Sequence, residues 1–200
     1  MIMEIEYIKN NYIFETLTEE HDLSNFECDS DDLNEFLKKD ALKQQEEKLN
    51  LTKLITCDGE IIGFVSLLTD TMKLKLLRDE LEKEKIKGKL NVSENNPVPA
   101  IKIGRFAIDR KYAGNGLGTY FLRSVLANIL KISENNVGLR FVSVDGYASA
   151  FKFYVTHNKF KNLKSDEKTL KRINVIKKQD PTRTFYLYFR FKGIKIKIKT

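Results

Sequence analysis

The chain has 200 residues, 42% of them hydrophobic and 32% charged, with 35 lysines and arginines against 28 acidic residues and a formal charge of +7. That is the profile of a globular protein, long enough to bury roughly 70% of its unfolded surface as one domain. It holds no run of about 20 apolar residues that could span a membrane. Cys28 and Cys57 stand alone, without a C-x-x-C or a histidine pair, which argues against a disulfide framework, a zinc site or any other metal. The first ten residues, MIMEIEYIKN, lack the basic-then-apolar layout of a signal peptide, so a cytoplasmic protein is expected. The positive surplus suits a polyanion such as coenzyme phosphates or RNA, or is simply a lysine-rich surface.

In residues 1 to 20, Ile5, Tyr7, Ile13, Phe14 and Leu17 alternate loosely and predict an edge strand. Asp29, Asp31 and Asp32 then open a helix, where acidic groups suit the dipole, and Leu33, Phe36, Leu37 and Ala41 follow at helical spacing. The runs LTKLITC and EIIGFVSLLT flank Asp58-Gly59, the sequence signature of a hairpin closed by a type I′ turn. Residues 73–96 are charged and run into a polar, proline-containing loop, NVSENNPVP. They predict an insertion that either covers a substrate groove or makes a passive surface excursion, the latter being preferred.

A strand follows at Ala100–Ile108, then a polar arm, Asp109 to Ala113, a glycine turn, and an amphipathic helix through Leu130. Leu139–Val144 predicts a strand, Tyr147–Thr156 a short helix burying Phe151 and Tyr154, and Lys159–Leu163 another strand. A charged connection containing Pro181 leads to a strand at Arg183–Phe191. The basic tail, residues 192–200, alternates isoleucine with lysine and reads as a hairpin partner or a lysine-guarded edge. The whole is an α/β domain with a mixed central β-sheet flanked by helices, spanning residues 1–200.

The glycine turn carries the chemistry. Gly114, Gly116 and Gly118 alternate, and glycines at a helix start let free amides approach an anion. A P-loop would need Lys-Ser or Lys-Thr after the glycines. A dinucleotide fingerprint would need G-x-G-x-x-G directly after the strand. Neither is present. KYAGNGLG (Lys111 to Gly118) instead resembles the pyrophosphate loop of the GNAT acetyltransferases, with Lys111 where that family carries Arg or Gln. The alternative is an ordinary strand-to-helix turn, which would not need three alternating glycines.

Other stretches are similar to one branch of that family, the acetyltransferase toxins of bacterial toxin–antitoxin pairs. Residues His21 to Ala41 resemble the toxins' Phe-x-Cys…Leu-Asn-x-[Trp/Phe]-Leu segment. Ile103 to Gly118 resembles their Gly-Arg-Leu-Ala-[Val/Ile]-Asp strand and loop, and Phe151 to Tyr154 their Ala-x-x-Phe-Tyr helix. The resemblance implies the GNAT fold and acetyl-CoA as co-substrate. It implies that the amides of Gly114, Asn115, Gly116, Leu117, Gly118 and Thr119, with Lys111, hold the pyrophosphate. Phe106, Ala107 and Ile108 would pair with the pantetheine arm, and Tyr154 would protonate the leaving thiolate. Without the resemblance, Tyr154 would read as a core aromatic.

No general base stands out; His21 and His157 read as surface or structural residues. The implied acceptor is a primary amine, either the amino group of an aminoacyl-tRNA or that of a protein or small molecule. A non-catalytic GNAT-like binding module is the competing class. An antitoxin and a second copy of the chain are the implied protein partners. VTHNK separates Tyr154 from Phe160, one residue longer than the family's Phe-Tyr-x-x-x-Gly-Phe ending and without its glycine.

Overall fold

The computed structural model describes residues 2–77, 83–84, 86–88, 92–93, 95–163 and 166–191. The basic tail lies outside the described residues, and the insertion is described in part. Among the described residues seven strands, β1 (Ile13–Thr16), β2 (Leu51–Cys57), β3 (Glu60–Lys73), β4 (Pro97–Ile108), β5 (Phe141–Tyr147), β6 (Lys161–Asn162) and β7 (Thr184–Arg190), form a mixed sheet in the order β1-β2-β3-β4-β5-β7-β6, flanked by helices. The chain forms two compact units. One takes the chain up to Leu68 together with Ile103–Leu122; the other takes Thr69–Lys102 and the chain from Arg123 onward.

In the first unit the start of the chain differs from the expected edge strand. Ile5 and Tyr7 lie in a helix, α1 (Ile5–Asn11), and only Ile13–Thr16 is a strand, β1. Ile5 and Ile8 fall on one helical face, and Ile8 packs with Ile55, Cys57 and Ile62. That burial outweighs a loose alternation that no neighbouring strand rewards. β1 pairs antiparallel with β2 (Leu51–Cys57), and β2 with β3 (Glu60–Lys73). Asp58 and Gly59 both have left-handed backbones, φ 49° and 78°, as the type I′ turn requires.

The acidic helix begins at Asp31 after an extended Ser30, but it is not continuous. α2 (Asp31–Glu35) runs through a π turn, Phe36–Asp40, into α3 (Ala41–Glu46). Phe36, Leu37 and Ala41 are buried, as their spacing predicts.

β4 (Pro97–Ile108) is followed by a 3-10 turn, Arg110–Tyr112, and by α4 (Leu117–Asn135). In the second unit β5 (Phe141–Tyr147) pairs antiparallel with β7 (Thr184–Arg190), and β6 (Lys161–Asn162) pairs antiparallel with β7 as well. The carboxylate of Asp70 accepts hydrogen bonds from the Ser143 hydroxyl and, at 2.9 Å, from the Tyr186 phenol, tying β3, β5 and β7 together.

Two expectations are corrected here. The charged connection before Pro181 is a helix, α5 (Asp166–Gln179). Its buried stripe is one residue wide, with Ile173 buried and Thr169 and Ile176 half-buried, too narrow to stand out among lysines. The insertion is also more than a surface excursion. Leu74, Leu77 and Ile86 are buried against Phe141 and Tyr188, so it contributes to the core of its unit.

Candidate active site

The glycine loop lies in the first unit. Gly114 and Gly116 have φ of 81° and 80°, the left-handed region that side chains strain to enter. A β-carbon built on either would meet no atom within 4 Å, so the space above both glycines is open. The Gly116 carbonyl accepts the Tyr120 amide at 3.1 Å, the first bond of α4. The amides of Leu117, Gly118 and Thr119 therefore have no acceptor one turn earlier in the helix and sit at its positive end. This cradle fits an anionic diphosphate by shape and by donor set.

The preceding strand is held by close contact. A β-carbon at Gly63 of β3 would lie 2.6 Å from the Ala107 carbonyl oxygen, so only glycine allows β3 to approach Phe106–Ile108 this closely.

Buried Asp109 fixes the arm between strand and loop. Its two carboxylate oxygens accept the backbone amides of Glu27 at 3.0 Å and Lys111 at 2.9 Å. The two cations of the arm are already paired. Arg110 contacts Asp29 at 2.9 Å and Glu27 at 3.1 Å, and Lys111 donates to Glu60 at 2.9 Å. That hydrogen bond holds the Lys111 ammonium above its ordinary range. A cavity of about 740 Å³ beside Lys111 is lined by Asp22, Asp58 and Glu60, the wrong sign for coenzyme phosphates. In this arrangement Lys111 can meet an anion only by exchanging its Glu60 partner, whereas the first amides of α4 have none to exchange within the helix.

Tyr154 lies in the second unit, in a π turn, Phe153–His157. It is buried beside the rings of Phe153 and Phe160, with centroids 5.0 and 5.4 Å away. A β-carbon at Gly146 of β5 would come within 3.1 Å of its ring. Burial pushes its pKa up, which keeps the phenol protonated. His21 supports a turn, its Nδ1 accepting the Thr18 amide at 3.1 Å. Among the described residues no cluster of three potential metal ligands occurs.

No family model matches the chain. A curated tRNA-acetylating toxin from Mycobacterium tuberculosis is 27% identical over 141 residues, which make up 70% of this chain and 78% of that protein. The structure of AtaT complexed with acetyl-methionyl-tRNAfMet superposes with a TM-score of 0.70 at 20% identity, covering 91% of this chain and 96% of that one. A tyrosine-to-phenylalanine variant of KacT gives 0.72 at 19% identity over the same shares. The chain has the GNAT fold of those two structures.

Of the motifs that resemble the GNAT toxins, the His21–Ala41 segment and the Gly-Arg strand serve the core of the first unit. Asn34 closes a reciprocal pair with Cys28, accepting its amide at 2.8 Å and donating to its carbonyl at 2.9 Å. Phe26 and Phe36 both pack on Phe64, and the Arg105 guanidinium lies 5.1 Å over the Phe36 ring. These residues shape the scaffold of the GNAT fold. Asp109 is the residue whose task the sequence left unread, although Asp two positions before a backbone amide is a known local cap.

The departure after Tyr154 also has a physical account. The extra residue is absorbed by the π turn, whose wider ring takes one more residue than an α turn. The Phe160 amide then donates to the Tyr154 carbonyl at 3.0 Å. Lys159, in place of the GNAT glycine, is exposed and left-handed at φ 62°. Lys159→Gly should therefore stabilise the protein by about 1 kcal/mol, raising Tm by about 2–4 °C in thermal unfolding. An unchanged or lowered Tm would mean that Lys159 makes a compensating contact.

Proposed function

We propose that this chain transfers the acetyl group of acetyl-CoA to the amino group of an aminoacyl-tRNA, in the cytoplasm, as the toxin of a toxin–antitoxin pair. The observation that carries the reading is the loop: two left-handed glycines under open space, leading into a helix whose first amides are unspent. The acceptor follows from similarity to a tRNA-acetylating toxin. Superposition on AtaT complexed with an acetylated initiator tRNA, and on AtaTR bound with AcCoA (TM-score 0.64, 20% identity, 92% and 95% of the two chains), supports the same substrates.

Acetyl-CoA supplies an activated thioester. The amides of Gly114 to Thr119 bind its pyrophosphate, and Phe106–Ile108 offers backbone groups to the pantetheine arm, one amide polarising the carbonyl. The neutral Tyr154 hydroxyl delivers a proton to the departing thiolate, for which a phenol is a suitable donor. Solvent takes the proton of the attacking amine.

No helix among the described residues is long and apolar enough to cross a membrane. An antitoxin and a second protomer are the proposed protein partners.

Incubation with labelled acetyl-CoA and charged tRNA should label the tRNA, and mild base should release the label as an N-acetyl amino acid. Added salt should depress this turnover steeply, as for any reaction that depends on phosphate contacts. Faster labelling of a protein or polyamine pool would replace the RNA acceptor. Failure to bind coenzyme A at all would leave a non-catalytic binding module.

A further inference from the structure

α5 is the least expected element of the chain and the most basic among the described residues. It carries Lys168, Lys171, Arg172, Lys177 and Lys178 against Asp166 and Glu167. Its buried stripe, Thr169, Ile173 and Ile176, faces the protein. Helical geometry puts Lys171 and Lys178 opposite that stripe and Lys168 and Arg172 along one flank of it, a row over about 15 Å of axis. All four are exposed.

The helix is firmly seated. Asn162 of β6 donates to the Thr169 hydroxyl at 3.0 Å, and α5 packs on the turn Ala148–Ala150. Downstream, the Pro181 and Arg183 carbonyls accept the amides of Ser149 and Ala148 at 3.2 and 2.8 Å. That same turn leads directly into the segment carrying Tyr154.

We propose that the exposed face of α5 docks the phosphodiester backbone of the RNA acceptor, holding it beside the Tyr154 segment. The inference rests on the aminoacyl-tRNA reading. Charge complementarity selects the occupant. Four cations at one-turn and two-turn spacing suit a row of phosphates, which lysine and arginine bind without reading sequence. A protein partner would call for a cluster of large apolar anchors, and this face offers only Val175. The Lys171–Glu167 pair, 2.8 Å apart and exposed on both sides, is weak enough to open for a phosphate.

The test compares the wild-type chain with the triple variant Lys171→Gln, Arg172→Gln, Lys178→Gln, all exposed sites. KM for charged tRNA should rise roughly tenfold or more. The slope of log affinity for uncharged tRNA against log salt should flatten by about 2. Acetylation of a small amino-acid ester should not change. Glu167→Gln, which removes the competing carboxylate, should shift tRNA affinity the other way, by about twofold. Unchanged tRNA KM and salt slope in the triple variant, with wild type acetylating charged tRNA, would overturn the docking face and leave the acceptor standing. Wild type that ignores charged tRNA would overturn the acceptor and the inference with it. Lost binding to a polyglutamate probe with tRNA kinetics intact would make the face a docking site for acidic protein and overturn the RNA assignment.

Discussion

Tyr154→Phe should lower turnover by roughly 10²-fold or more while leaving coenzyme affinity nearly unchanged. The substitution deletes one oxygen and keeps the ring, so the contacts with Phe153, Phe160 and the Gly146 backbone survive. Rapid-quench turnover and calorimetric binding of acetyl-CoA separate the two quantities. Wild-type turnover in the variant would return Tyr154 to a packing role.

The pH profile adds a second check. Burial raises the Tyr154 pKa, so the neutral phenol is favoured in the folded state. Its contribution to stability is complete below the unfolded value of about 10 and fades as pH rises towards the folded one. The phenol is consequently protonated throughout the neutral and mildly alkaline range. Turnover should show no loss from its ionisation below about pH 10.

Gly116→Val should reduce coenzyme binding at least roughly 100-fold in a protein that still folds. A β-carbon there meets no protein atom, so no internal clash is introduced. The damage comes from φ at 80°, where an L side chain is strained by about 1–2 kcal/mol and a β-branched one by more. Relief requires the backbone to turn, which swings the amides of Gly116 and Leu117 away from the anion. Gly59→Val provides the matched control. Gly59 is equally left-handed and equally uncrowded, but it closes the β2–β3 hairpin, so that variant should lose stability without losing coenzyme affinity. Unchanged affinity in a folded Gly116→Val protein would remove the loop from the site.

Patterns with a short physical range were legible from the sequence alone. Asp58-Gly59 announces its turn because few pairs tolerate two consecutive left-handed residues. The β4 strand, the glycine loop and the start of α4 follow from apolar alternation, from glycines at strained positions and from helical spacing within a single stretch. The order of strands and helices, α1 and α5 excepted, came from the same local signals, and the resemblance to GNAT acetyltransferases from the motifs at His21–Ala41, Ile103–Gly118 and Phe151–Tyr154.

Tertiary structure decided what depends on partners distant in sequence. Ile5 and Tyr7 are helical because Ile8 has a core face waiting at Ile55 and Ile62. The partners of Arg110 and Lys111 are carboxylates brought in from Glu27, Asp29 and Glu60. Asp109 is buried because the Glu27 amide arrives from 82 positions away. α5 could not be read because a one-residue stripe is enough to seat a helix once β6 and the Ala148 turn supply the other surface. Local propensity sets which conformations are cheap; burial against remote neighbours chooses among them, and those neighbours are not encoded in any one stretch.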